Sequence, residues 1–264
     1  MALERYVGLP GLVEGFEAVY LDERGVEQRV PWGWLPEVAG ELGRAVRSFP
    51  SYRGQRNFPG WYWSATQGCR IGFESWVERD HLVALDFDSS VVGIVSQPFW
   101  LLWPGEKGKP RRHAPDFLVL VEGGGVLVLD SRPVERIEPA DREAFEVTER
   151  ACGLLGWRYA VWDRLDGVVV ANLRWLAGYR HPRCFDEQVA ARLGEVFTRP
   201  RSLMEGAELA GDPLGTLPVL YHLLWTRRLL IDLALVLSDR TVVRAAPRVA
   251  NVAKDLVLAG GLDG

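Results

Sequence analysis

The sequence predicts an α/β fold: a mixed sheet flanked by helices, followed by a small helical, winged-helix-like C-terminal domain. Three stretches carry that expectation. From Phe73 to about Asp86, Trp76, Val77, Ala84 and Leu85 recur at helical spacing, and Glu74 and Glu78 share a face that His81, Leu82 and Leu85 continue. Asp116 to Val121 and Val126 to Leu129 are short apolar runs typical of strands buried on both faces, and Glu122-Gly123-Gly124-Gly125 between them is a turn, so the pair forms a hairpin. Pro139 to about Leu155 returns to helical spacing at Phe145, Thr148, Cys152 and Leu155 and stops at Gly156, after which Tyr159 to Trp162 is a further buried strand. Strand, strand, helix, strand gives a sheet with helices packed on it.

The other elements fall around this block. Residues 1–60 form an N-terminal hairpin and helix region. Phe16 to Leu21 and Val26 to Val30 flank Asp22-Glu23-Arg24-Gly25 as a hairpin, and Leu35 to about Phe49 has helical spacing at Val38, Leu42 and Val46, with Pro36 near its start. Arg44, Arg47, Arg53 and Arg56 follow one another here, as a solvated face or a phosphate-contacting arm. Residues 61–180 form the main domain. Within it Trp61 to Ser64 and Cys69 to Ile71 make a second hairpin, Val91 to about Trp103 is strand-like with a break at Pro98, and Pro104 to Pro110 is a loop. Lys107, Lys109, Arg111, Arg112 and His113 then deliver the chain to Asp116, and Val168 to Asn172 leads into Leu173-x-Trp175-Leu176. Tyr179 to Arg183 reads as a linker into residues 181–264. There Asp186 to Phe197 and Ser202 to Ala210 are amphipathic helices, Pro218 to Leu237 is strongly apolar and helical, and Thr241 to Arg244 is a short strand. Helices followed by a small β element suggest the winged-helix-like module. Arg244 and Arg248 are its candidate DNA or partner contacts, and residues 250–264 read as a tail.

Composition narrows the function. The chain has 264 residues, 48% hydrophobic and 25% charged, enough to bury an ordinary core. A net charge of −4 argues against a nonspecific polycationic DNA coat but leaves room for local basic patches. Cys69, Cys152 and Cys184 are odd in number and lack CxxC spacing, which points to a reducing cytoplasm and not to a disulfide or zinc framework. No apolar run approaches the roughly 18 residues of a membrane span, and no signal peptide is expected. Walker A, GxGxxG, HExxH and GxSxG motifs are absent from the sequence.

The chemistry concentrates between Glu78 and Arg132. Asp116 opens one strand of the hairpin and Asp130 ends the other, so both carboxylates lie at one end of the sheet, with Arg132 two residues past Asp130 on the same side. Glu78 comes from the rim of the preceding helix. Like charges that close require Mg²⁺ or Mn²⁺, Arg132, or a proton on one carboxylate. Three acidic groups from separate elements suit a hard divalent cation, and such a cation beside a phosphodiester suits a nuclease. Taken singly, Asp116 also reads as a strand cap and Asp130 as the partner of Arg132. The basic run Lys107, Lys109, Arg111, Arg112 and His113 is a candidate phosphate contact, and His113 is also a candidate ligand or proton carrier.

A family resemblance rests on Phe73-Glu74-Ser75-x-x-Glu78-Arg79-Asp80, Leu85-Asp86-Phe87-Asp88, Gln97-Pro98-Phe99, Pro115-Asp116-Phe117, Asp130-Ser131-Arg132-Pro133, Gly156-Trp157 and Asn172-Leu173-x-Trp175-Leu176. Over roughly residues 60–180 the chain resembles the PD-(D/E)xK restriction-endonuclease-like fold. More closely it is similar to the TnsA-like endonuclease subunits of heteromeric TnsA/TnsB-type transposases. The resemblance implies Glu78, Asp116 and Asp130 as metal ligands for Mg²⁺ or Mn²⁺ and Arg132 as the last member of the motif. It also implies double-stranded DNA cut at transposon ends on the strand the partner transposase leaves intact, a TnsB-like transposase and a TnsC-like ATPase regulator as partners, and a helix-turn-helix C-terminal domain. The usual last residue of the motif is lysine. Arg132 cannot shed its proton to help activate water but can stabilise developing charge. A catalytically weak or inactive subunit that binds DNA or partners on the same fold is the alternative reading.

Overall fold

The computed structural model describes residues 15–47, 58–105 and 108–247. The chain opens with β1 (Glu17–Leu21) and β2 (Glu27–Pro31), an antiparallel hairpin whose turn places Gly25 at φ 77°. A run of 3-10 turns follows over Trp32–Glu41. The α-helix expected from Leu35 to Phe49 does not form: Gly33, Pro36, Gly40 and Gly43 interrupt the segment, and proline removes a donor that an α-helix needs. Residues 48–57, with Arg53, Arg56 and the end of that expected helix, lie outside the described residues. Next come β3 (Gly60–Trp63) and β4 (Arg70–Phe73), paired antiparallel as expected. α1 (Trp76–Phe87) starts where Ser75 Oγ accepts the N–H of Glu78.

The strand-like stretch after α1 divides into β5 (Val91–Ser96) and β6 (Trp100–Pro104), which belong to different sheets. Gln97 makes the crossing at φ 44°, with its N–H on the Asp116 carbonyl at 2.8 Å and its own carbonyl accepting from Val46 at 2.9 Å. β7 (Pro110–His113) is a strand paired with β6, so the basic run is extended over Arg111, Arg112 and His113, past the loop expected from Pro104 to Pro110. β8 (Phe117–Val121) and β9 (Gly125–Ser131) form the expected hairpin. α2 (Pro139–Leu154) carries a capping box between Glu138 and Asp141, and the chain leaves it through Gly156 at φ 69°. β10 (Arg158–Trp162) pairs parallel with β9, and α3 (Gly167–Ala177) begins where Asp166 accepts the N–H groups of Val168 and Val169.

The last part comprises α4 (Glu187–Val196), β11 (Arg201–Ser202), α5 (Leu203–Ala210), α6 (Pro213–Trp225), β12 (Leu229–Leu230) and β13 (Val242–Ala245). The apolar stretch Pro218 to Leu237 is therefore not one helix. It stops because Arg227 turns left-handed at φ 57°, while the N–H groups of Arg227 and Arg228 close on the carbonyls of Leu224 and Leu223. Asp232 sits in the connection beyond β12.

The result is mixed α/β. One sheet runs β2-β1-β6-β7, so the N-terminal hairpin is completed by strands from the middle of the chain. The central sheet runs β10-β9-β8-β5, and a small third sheet runs β11-β13-β12. Strand alternation sends Phe117, Val119, Leu127 and Leu129 into one apolar cluster with α1, α3 and the C-terminal helices. Leu118 and Val128 point to the other face, into a second cluster with α2 and the N-terminal sheet. Trp32 anchors this second cluster, donating from Nε1 to the Ala151 carbonyl at 2.6 Å. No helix among the described residues is long and apolar enough to cross a membrane.

Asp86, at the C-terminal end of α1, ties the β3–β4 connection to the helix. Its buried carboxylate accepts from Tyr62 Oη (2.8 Å), Ser64 Oγ (2.6 Å) and the N–H groups of Ala65 and Thr66 (both 2.9 Å). Asp86→Ala leaves these donors without an acceptor and is expected to cost about 3–5 kcal/mol, read from urea denaturation. A loss under about 1 kcal/mol would mean that the connection repacks without this anchor.

Candidate active site

The β8–β9 register pairs Phe117 with Leu129, and the next residues outward on the two strands are Asp116 and Asp130. Both line a cleft of about 260 Å³ together with Glu78, His113, Ser131, Arg132 and Asp141. Asp116 sits at its centre and accepts the Ser131 N–H through Oδ2 at 2.7 Å. Its pKa lies well above the usual carboxylate range, chiefly through burial and then through the charges on Glu78 and Asp130.

The other two carboxylates reach Asp116 from different sides. Val128 belongs to the cluster with α2, so Asp130, two residues on, leans toward that face. There His113 Nε2–H (2.9 Å) and the Tyr159 hydroxyl (2.6 Å) both donate to Asp130 Oδ2. Burial lowers the His113 pKa, but attraction to Asp130 and the hydrogen bond to it outweigh burial, and the net shift is upward. Burial, reinforced by the Asp130 charge, raises the Tyr159 phenol, which keeps it a donor. Glu78 comes from the first turn of α1, where its Oε2 accepts the Glu74 N–H at 2.7 Å. Burial raises its pKa, and its hydrogen bonds only partly oppose that shift. Arg47 pairs with Glu74 at the cleft wall.

Ser131 points away from Asp130, toward α1. His81 Nε2 donates to the Asp163 carbonyl at 2.8 Å, so Nδ1, 2.8 Å from Ser131 Oγ, accepts the serine proton. Burial keeps this imidazole neutral, with its pKa lowered to about 4. Arg132 leaves the sheet with its N–H on the Trp162 carbonyl, and its guanidinium donates to Asp141 Oδ1 at 3.1 Å. The other Asp141 oxygen accepts the Glu138 N–H at 3.1 Å, so the cap of α2 also orients Arg132.

Of the residues singled out from sequence, Glu78, His113, Asp116, Asp130 and Arg132 therefore share the cleft. The basic run does not act as one patch. On β7, Arg111 faces Glu143 of α2 at 3.4 Å, while the Arg112 guanidinium lies 4.3 Å from the Trp100 ring centroid on the opposite face. Lys109 is exposed ahead of β7, and Lys107 lies outside the described residues. Arg244 is exposed on β13 and does not line the cleft, while Arg248 and residues 250–264 lie outside the described residues. Tyr159, Asp141, Ser131 and His81 belong to the site without having been singled out as functional. The one local signal was His81, on the same helix face as Glu78.

Carboxylates from Glu78, Asp116 and Asp130 line the cleft, and carboxylate oxygens suit a hard divalent cation. Burial and then the charges on Glu78 and Asp130 raise the Asp116 pKa, and such an ion would relieve the part due to charge. Among the described residues, no three His, Cys, Asp or Glu side chains stand close enough together to hold a metal ion, so the carboxylates share a cleft without forming a closed cage. No model of a known protein family and no curated protein matches the chain.

Asp116→Asn removes the repulsion, and an amide oxygen can still accept the Ser131 N–H. A carboxyl whose pKa is raised on folding destabilises the native state above that pKa and ceases to do so as the pH falls through it. The variant is therefore expected to be more stable than wild type in alkali, with the gap closing in acid. Urea titrations across the pH range test this. A variant less stable than wild type in alkali would show that Asp116 is not held against its neighbours' charge.

Proposed function

We propose that the chain is a metal-dependent DNA endonuclease subunit of a heteromeric, TnsA-like transposase, hydrolysing a phosphodiester at transposon ends. Double-stranded DNA, a TnsB-like transposase and a TnsC-like ATPase regulator are its partners in this reading. The observation that carries it is the meeting of Asp116, Asp130 and Arg132 at the open end of one hairpin, with Glu78 brought to the same cleft by the preceding helix. The order α1, β5, β8, β9, α2, β10, with β9 and β10 parallel, supports a restriction-endonuclease-like core.

Glu78, Asp116 and Asp130 are the residues that would hold Mg²⁺ or Mn²⁺, and they would have to draw closer together than they stand here to do so. Such an ion supplies Lewis acidity to the phosphodiester and lowers the pKa of water. His113 and Tyr159 fix the Asp130 carboxylate, leaving one of its oxygens free of them. Arg132, aimed by Asp141, stabilises charge that develops on the phosphoryl oxygens. The elements of the C-terminal part, α4-β11-α5-α6-β12-β13 with sheet order β11-β13-β12, support a winged-helix-like module. Its α6 contains no Lys or Arg and packs on α3, so Arg244 on β13 is the module's candidate DNA contact.

The second reading, a catalytically weak or inactive DNA- or partner-binding subunit, is favoured by one observation: Arg132 fills the usual lysine position with its guanidinium engaged by Asp141. Nicking of a supercoiled plasmid in Mn²⁺, with and without a cognate transposase, separates the two. The endonuclease reading expects Asp116→Ala to abolish nicking and Arg132→Ala to slow it about 10²–10³-fold. Equal nicking by wild type and Asp116→Ala would remove the catalytic assignment. No nicking by wild type, joined to a gain of it in Arg132→Lys, would establish the second reading.

A further inference from the structure

A second concavity adjoins the cleft, between the β3–β4 hairpin and the segment Gly43–Arg47. It is the larger of the two, about 520 Å³ against about 260 Å³. Arg44, Arg47 and Arg70 line it, and none of the described residues lining it is acidic. Arg47 is paired with Glu74 and lines both spaces, so the two meet at this side chain. Arg44 and Arg70 are exposed and have no carboxylate partner among the described residues. Trp61 lines the same space with 62% of its surface exposed. Ser96, at the end of β5, also lines it; its hydroxyl is buried and has no hydrogen-bond partner among the described residues. A buried hydroxyl without a partner is costly, and a ligand with a polar edge would satisfy it.

These features select a ligand class. Guanidinium groups without counter-ions recognise phosphate, an exposed indole stacks on a nucleobase, and the volume lies in the range of small-ligand sites. We propose that this cavity holds one nucleotide of the DNA strand that crosses the cleft, its phosphate on Arg44 and Arg70 and its base on Trp61. The identity of the strand rests on the endonuclease reading, whereas the ligand chemistry, a nucleoside phosphate, stands without it.

The test is fluorescence anisotropy on the full chain in EDTA, so that no strand is cut. The probe is a fluorescein-labelled oligodeoxythymidine, with dTMP, thymidine and inorganic phosphate as competitors. Arg44→Glu combined with Arg70→Glu is expected to weaken oligonucleotide binding by about 30–100-fold and to reduce the slope of log affinity against log salt by roughly 0.7. Trp61→Ala is expected to weaken it about tenfold, and Trp61→Phe to restore most of that. dTMP should compete at higher concentration than the oligonucleotide, and thymidine and phosphate more weakly still. An Arg44/Arg70 charge reversal that keeps the wild-type melting temperature and binds the oligonucleotide within twofold of wild type would overturn the site. dTMP binding as tight as the oligonucleotide would overturn the strand assignment in favour of a free mononucleotide. Plasmid nicking run in parallel keeps the two proposals apart. Loss of oligonucleotide binding in the charge reversal, with no nicking by wild type, leaves the nucleotide site standing and removes the endonuclease. Wild-type nicking with full binding and nicking by the charge reversal does the opposite.

Discussion

The register of the β8–β9 hairpin decides where charge concentrates in this molecule. Gly123 and Gly124, at φ 83° and 86°, allow the tight turn that pairs Val121 with Gly125, and four pairs later Phe117 meets Leu129. Asp116 and Asp130 are the next step. A slip of one residue would turn every side chain of one strand over, sending Leu127 and Leu129 toward α2 and Asp130 into the cluster beneath α1. Both faces of this hairpin are buried, and each large apolar side chain on it contributes about 1.5–3 kcal/mol by burial. That sum exceeds the repulsion between carboxylates in a cleft open to water, where effective dielectric constants are high. Apolar packing thus holds the acidic groups in one cleft, where burial raises the pKa of both Asp116 and Glu78 and the neighbouring carboxylates add to the shift at Asp116.

The surroundings of the carboxylates divide the work between faces. On the α2 side, His113, Tyr159 and Asp141 fix Asp130 and Arg132 through hydrogen bonds from three different elements. On the α1 side, neutral His81 spans Ser131 and the Asp163 carbonyl and ties the end of β9 to the helix that carries Glu78. Asp116 stands between the two sets, bonded to the backbone of Ser131, which belongs to both.

Much of this was legible in the sequence. The hairpin announced itself through two apolar runs around a glycine turn, and a period of two then placed Asp116 opposite Asp130. The helix of Glu78 was legible from its stripe, although the Ser75 cap that starts it was not. Tyr159 was not, because a tyrosine inside an apolar strand looks the same whether its hydroxyl reaches water or a carboxylate on the adjacent strand. Asp141 read as a helix start, which it is, while its second oxygen serves Arg132. The basic run read as one patch because its charges are adjacent in sequence, whereas pairing with β6 makes Arg111 to His113 a strand and splits their side chains between two faces. The Leu35–Phe49 helix failed because apolar spacing was weighed above the glycines and Pro36. The apolar run from Pro218 onward hid its own end, since Arg227 adopts a left-handed turn that usually falls to glycine.

One apolar cluster runs without interruption from the central sheet through α1 and α3 into α4–α6. Phe87, the last residue of α1, meets Trp225, the last residue of α6, edge to face at 5.4 Å. Glu78 sits near the opposite end of the same rod, on the order of 14 Å away along its axis at the usual helical rise. Whatever grips the C-terminal helices therefore holds the handle of a short, stiff lever whose tip is a carboxylate at the cleft.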